Sequence, residues 1–173
     1  MPRPSARLPL IDAAKAIASQ CIVLHHLAIY GPLSEAAQTA APALFGWLAS
    51  NARIAVQVFL VIAGFLAANS LAPQGALSAK QLTQEIKKRY LKLAIPFIAA
   101  VIFCMIASAL ARQWLVDDAI PGPPTLWQFL AHATLLHGVL GVDSLSAGVW
   151  YIAIDFQLFV LLLGLLWIAR TLA

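Results

Sequence analysis

The sequence predicts an all-α fold: a polytopic transmembrane bundle of about four spanning helices plus a short outer interfacial or re-entrant helix. Three observations lead there. The 173 residues are 62% hydrophobic and 10% charged, against roughly 45–50% apolar and 25% charged in soluble domains. Mean hydropathy is +0.86, more apolar surface than a water-soluble fold of this size can bury. The apolar residues also gather into runs of about 20, the length that crosses bilayer hydrocarbon. The lipid bilayer is therefore an expected partner. A net charge of +4, with no basic run interleaved with aromatics in a polar context, excludes nucleic acid as a partner.

The spans follow in order. The first runs from about Asp12 to Tyr30, the second from Arg53 to Leu71, the third from Leu91 to Ala111 and the fourth from Val149 to Thr171. Pro96, near the start of the third, is expected to begin or kink that helix, because it lacks an N–H and its ring crowds the preceding turn. The fifth apolar segment, "TLWQFLAHATLLHGVLG", is helix-like but short. Trp127 at its start marks it as an interfacial or partly re-entrant helix. Gly64, in "AGF", is expected to let helices approach closely. Cys21 and Cys104 lie within apolar runs without metal-like spacing and read as small core residues. The first apolar run, preceded by Arg3 and Arg7, resembles a signal peptide only superficially, because its stretch contains two histidines.

Lys and Arg placement gives the orientation. Arg3, Arg7 and Lys15 stand at the start, and Lys80, Lys87, Lys88, Arg89 and Lys92 between the second and third spans. Arg170 ends the fourth span. The other two connections hold Arg53 and Arg112 beside Glu35, Asp117 and Asp118. The positive-inside rule thus predicts a cytoplasmic N-terminus, middle loop and C-terminal end.

The first span is the polar one. At about 100° per residue, Lys15 and His26 fall on nearly the same face, along with Asp12, Ser19 and Ile22. His25 points about 100° away, so the two histidines serve different roles. Lys15 and His26 are separated by a rise of about 16 Å, one near the cytoplasmic boundary and the other in the outer half. Ionisable groups inside a span are costly and usually face a bundle interior or cavity. A neutral imidazole titrates near the pH at which a hydroxyl proton is abstracted by a general base. Asp155 lies inside the last span, where an unpaired carboxylate is expensive, and is expected to orient a histidine or pair with Lys15 or Arg53. Trp150 and Gln157 flank it. On one continuous helix, His132 and His137 would stand about 140° apart, so no shared metal is expected there or elsewhere. They read as interfacial or packing residues, His137 being the better acceptor-site candidate.

Taken together, four segments resemble acyltransferase family 3, integral membrane proteins that move acyl groups onto sugars and other extracytoplasmic acceptors. Its members start with a "DGLRGIA"-like helix in which Arg and His are separated by ten residues; here "LIDAAKAIASQCIVLHH" puts Lys15 and His26 at those positions. The family's "GVDLFFVLSGFLI" corresponds to "IAVQVFLVIAGFLAA", its basic run before Pro to "KKRYLKLAIP", and its "LWSLSVEEQFYLL" to "VWYIAIDFQLFVLLL". The order is the same throughout. The departures are Lys15 for Arg, which keeps charge but loses the planar fork, Gln57 for an acidic residue, Ala63 for a small hydroxyl residue, and Asp155 for Glu. Because the family has about ten spans, the resemblance covers its N-terminal portion. The chain is thus expected to be a single membrane domain, residues 1–173, and part of a longer protein.

The resemblance implies no permanently bound cofactor, but acyl-CoA, commonly acetyl-CoA, as a cytoplasmic donor substrate. It implies a glycan or related hydroxyl acceptor on the other side of a bacterial inner membrane. His26 would act as general base or, since imidazole is also a nucleophile, carry the acyl group transiently. Lys15, with Lys88 and Arg89, would hold donor phosphates, while Asp12, Ser19 and His25 would support the site. Two other readings of the buried polar residues stand beside this one: a transporter or proton relay, and an inactive fragment. Acceptor, acyl length and oligomeric state are open at this level.

Overall fold

The computed structural model describes residues 8–71, 78–116 and 120–172, and every regular element among them is helical. Arg3, Arg7, Asp117 and Asp118, which entered the orientation argument, lie outside the described residues. The order is α1 (Pro9–Ile29), α2 (Pro32–Ala40), α3 (Pro42–Asn51), a 3-10 turn (Ala52–Ile54), α4 (Ala55–Leu71), α5 (Ala79–Ala111), α6 (Leu126–Ala133) and α7 (Val149–Leu172). The all-α expectation holds. Three helical runs are long and apolar enough to cross a membrane: Pro42–Leu71, Lys80–Ala111 and Val149–Leu172. A fourth qualifies when α1 and α2, bent by 99° at their junction, are counted together.

The boundaries differ from expectation for local reasons. Proline opens α1, α2 and α3, where its missing N–H costs nothing. Gly31, at φ 79°, makes the turn between α1 and α2, a conformation that L side chains rarely adopt. The second long run begins at Pro42 rather than Arg53, because the 3-10 turn carries helical geometry through from α3 to α4. The third begins at Ala79, where Ser78 and Gln81 form a reciprocal capping box. Ser78 accepts from the Gln81 N–H and Gln81 accepts from the Ser78 N–H, satisfying two orphan donors. Pro96 consequently lies inside α5 rather than at its start. The cations Lys80 to Lys92 ride on the first turns of that helix rather than in a loop. At 33 residues, α5 is about 50 Å long, against a hydrocarbon core of about 30 Å.

The chain divides into two compact units between Leu66 and Ala67. In the first, α1 packs on α2, α3 and the 3-10 turn. Small residues make this possible: Ala28 and Ala52 are buried with Leu48, and Cys21, Phe45 and Ala49 pack around them. A Cβ at Gly64 would meet nothing within 4 Å, so the close approach expected there does not occur among the described residues. In the second unit α5 packs on α6 and α7. Phe97, Val101, Leu135, Leu145, Val149 and Ala153 form its core. Near the other end, Leu71 and Leu163 pack together and Arg170 donates to the Leu71 carbonyl at 3.0 Å. Lipid tails are as apolar as these side chains, so helix association relies on close packing and polar ties more than on water exclusion.

Candidate functional site

Helix α1 carries two adjacent stripes of different character. Ala18, His25 and Ala28 are buried, with Cys21 half-buried beside them. Their spacing of three and four places them on one face, the face that meets α3. Lys15, Ser19, Ile22 and His26 form the second stripe, and all four are half-buried, while Asp12 at its start is exposed. The two stripes separate the histidines. His25 is 6% exposed, and its Nδ1 lies 3.0 Å from the Leu48 carbonyl oxygen. A carbonyl only accepts, so Nδ1 carries the proton and donates. His26 has no hydrogen bond among the described residues. Its ring stacks on Tyr30 at 5.5 Å and 20°, one turn further on, and lies tilted to His25 at 5.6 Å.

The supporting residues behave differently from one another. Ser19 donates to the Ala16 carbonyl of its own helix at 2.8 Å, so its hydroxyl is directed along the backbone rather than toward His26. Lys15 has no ion pair among the described residues. An open apolar groove of about 580 Å³ lies beside the same helix, lined by Leu10, Ile11, Ala14, Ile54, Gln57 and Val58, among others. Neither Lys15, Ser19 nor His26 lines it. Gln57 is the polar side chain on its wall.

In the second unit, Asp155 is 7% exposed and meets Arg89 Nη2 at 2.6 Å. This corrects the expected pairing with Lys15, Arg53 or a histidine. Residues 89 and 155 face each other where α5 packs on α7, and Arg89 also lies 5.3 Å over the Phe159 ring, a cation–π contact. Arg89 is therefore committed to a carboxylate, and of the two α5 cations expected at donor phosphates only Lys88 points outward. Lys88 pairs with Glu85 at 2.8 Å, its side chain 70% exposed, an arrangement that contributes little. Gln157 donates to the Leu135 carbonyl at 2.8 Å, and Trp150 is partly exposed, edge-on to Tyr151.

His132 and His137 are packing residues, one of the two roles expected of them, but they are not far apart. Thr125 and Gln128 cap the start of α6, but the helix ends at Ala133, so the 140° separation does not apply. Leu135 turns the chain at φ 59° and brings His137 over His132, with ring centroids 4.0 Å apart and planes within 3°. His132 is fully buried. Its Nε2 accepts from the Leu145 N–H at 3.1 Å and its Nδ1 lies 2.7 Å from the Gln128 carbonyl, which fixes the neutral tautomer with the proton on Nδ1. His137 is 1% exposed, yet neither ring nitrogen has a partner; its ring also faces Phe97 at 6.3 Å. Burial, and then the neighbouring His132, push its pKa down to about 4. Among the described residues, no group of three or more His, Cys, Asp or Glu could hold a metal ion.

Residues 8–173 match the family described as an acyltransferase domain, acyltransferase family 3. The chain belongs to that family. Within this acyltransferase-family chain the similarity extends over both compact units. It is also similar to "Regulator of hypoxia-inducible factor 1" of Caenorhabditis elegans, 25% identical over 169 residues, covering 90% of this chain and 33% of that protein. The chain thus spans about a third of the length of this curated relative. No solved structure matches. Its apolar spans and its family together make it an integral membrane protein.

Sequence reasoning missed Tyr30 as the neighbour of His26, although residues four apart share a helix face. It missed the Arg89–Asp155 pair because no local signal links residues 66 positions apart. It missed the stacking of His132 on His137 because the end of α6 is not marked by glycine or proline.

Proposed function

We propose that this chain is the N-terminal part of a membrane acyltransferase. It moves an acyl group, commonly acetyl, from cytoplasmic acyl-CoA to a hydroxyl of an extracytoplasmic glycan or related acceptor. The observation that carries the reading is His26: a half-buried imidazole with no hydrogen bond to another described residue, on the same stripe of α1 as Lys15. Beside it, His25 is occupied by the Leu48 carbonyl. An imidazole with a free nitrogen can accept the proton of the acceptor hydroxyl. The oxygen then attacks the thioester carbonyl, the C–S bond breaks, and the CoA thiolate leaves and is protonated. In the other order, the imidazole attacks first and holds the acyl group until the acceptor arrives.

Lys15 lies about 16 Å along the helix from His26 and would attract the phosphates of the donor. Asp155 and Arg89 fit a positioning role, holding α5 to α7, better than direct contact with the donor. His137, sealed beneath its own segment, fits acceptor binding poorly as it stands. The positive-inside rule supports a cytoplasmic N-terminus, and the family resemblance is what suggests a bacterial inner membrane.

The test uses the full-length protein in native membranes supplied with labelled acetyl-CoA. His26→Ala is expected to abolish label transfer to the glycan fraction at unchanged protein level. Full transfer by that variant would remove His26 from the chemistry.

A further inference from the structure

The His132–His137 stack has a property that acyl transfer does not use. His132 satisfies both ring nitrogens within the fold. His137 satisfies neither, though it is as deeply buried. Between them they hold the return segment in place: the His137 carbonyl accepts from the Val142 N–H at 2.9 Å, and His132 accepts from the Leu145 N–H. Leu145 itself is buried in the core of the second unit. The segment from Thr134 to Gly148 is therefore closed over two neutral, face-to-face imidazoles.

We propose that this closure is a proton-sensitive latch, in which protonation of His137 releases the 134–148 segment from α5 and α7. A charge on His137 has nowhere favourable to go while the segment is closed. Its ring lies between His132 and Phe97. Of the ionisable groups on the surrounding elements, Arg89 and Asp155 are spent on each other, and Tyr90 donates its hydroxyl proton to the Ala133 carbonyl. Tyr151 lies edge-on to Trp150, and Asp143, on the segment itself, is exposed. Burial opposes protonation of His137 first, and the stacked His132 adds to it. Among the described residues no carboxylate is hydrogen-bonded to His137, so a proton is accommodated by opening the segment to water.

The sign follows from linkage. In the open segment His137 titrates near the ordinary histidine value of about 6.5. In the closed segment it titrates at about 4. Closure is fully favoured above the upper value and is progressively lost as pH falls through the interval, because the open form takes the proton first. This inference rests on the loop geometry and stands whether or not the acyl-transfer reading does.

Hydrogen exchange tests it on the full-length protein in nanodiscs, followed on the peptide spanning residues 134–148 and corrected for the intrinsic pH dependence of exchange. Between pH 7.5 and pH 5 opening of this segment is expected to rise by at least about tenfold, with the peptide from α7 unchanged. His137→Phe keeps an aromatic ring in the stack and cannot titrate; it is expected to stay closed at both pH values. Flat exchange in the natural protein would overturn the latch. The same pH response in His137→Phe would overturn it too, by assigning the titration to another group. His137→Leu provides a second non-titrating variant should the phenylalanine ring fail to fit.

Discussion

Each unit of this chain holds a pair of histidines, and the two pairs invert what their spacing suggests. His25 and His26 are adjacent, and the helix turns them apart: one is buried against Leu48, the other half-exposed on Tyr30. His132 and His137 are five residues apart, and the end of α6 folds them together into a stack. In both pairs one imidazole is tied by hydrogen bonds and the other is not. The difference lies in what surrounds the untied ring. His26 is half-buried, as the proposed chemistry requires, whereas His137 is sealed, as the proposed latch requires. Burial of the untied partner therefore separates a chemical role from a conformational one.

Six substitutions at five residues probe that contrast. The largest effect is expected at the first pair: His26→Gln should slow acyl transfer by about 100-fold or more, the usual share of a general base, while His25→Gln should leave most of the rate. Steady-state transfer in matched membranes reads the ratio. In the second unit, Asp155→Asn leaves the partly buried Arg89 without its counter-charge and should cost about 1 to 3 kcal/mol, measured by denaturant titration in detergent. If stability is unchanged, the pair is not what joins α5 to α7. His132→Ala removes a buried ring together with its two hydrogen bonds, and should destabilise by about 2 to 3 kcal/mol; His25→Ala should cost about 1 to 2 kcal/mol, because the Leu48 carbonyl still receives the Ala52 N–H. Equal costs would show that the two tied imidazoles are alike. The smallest effect belongs to Thr125→Ala, which loses one cap of α6 for about 1 kcal/mol and should loosen the peptide covering Leu126–Ala133 in hydrogen exchange.

Much of this arrangement was legible from the residues, since hydropathy alone dictates helices in lipid. The all-α architecture, the three or four spans, the short α6 and the family all follow from apolar run length and ordered motifs. The relation between Lys15, Ser19 and His26 was legible as well, because helical periodicity is local and α1 is unbroken. What escaped were the places where the chain leaves periodicity. The helical runs at Pro42 and Ala79 start earlier than hydropathy suggests, since caps and a 3-10 turn rather than apolar residues define them. Arg89 looked like a loop cation because charge counts do not reveal which carboxylate a helix will meet. The stacking of His137 on His132 was not foreseen because the left-handed Leu135 that brings the rings together carries no glycine signal.

The central claim is that His26 is the open, reactive imidazole among the four histidines of the chain. Diethyl pyrocarbonate modification of the full-length protein in membranes, mapped by peptide mass spectrometry alongside residual acyl transfer, tests it most directly. At neutral pH His26 should be modified first, activity should fall in step with that modification, and acyl-CoA should slow both. His25, His132 and His137 should remain unmodified over the same interval. Loss of activity while His26 stays intact, or full modification of His26 with activity retained, would contradict the account.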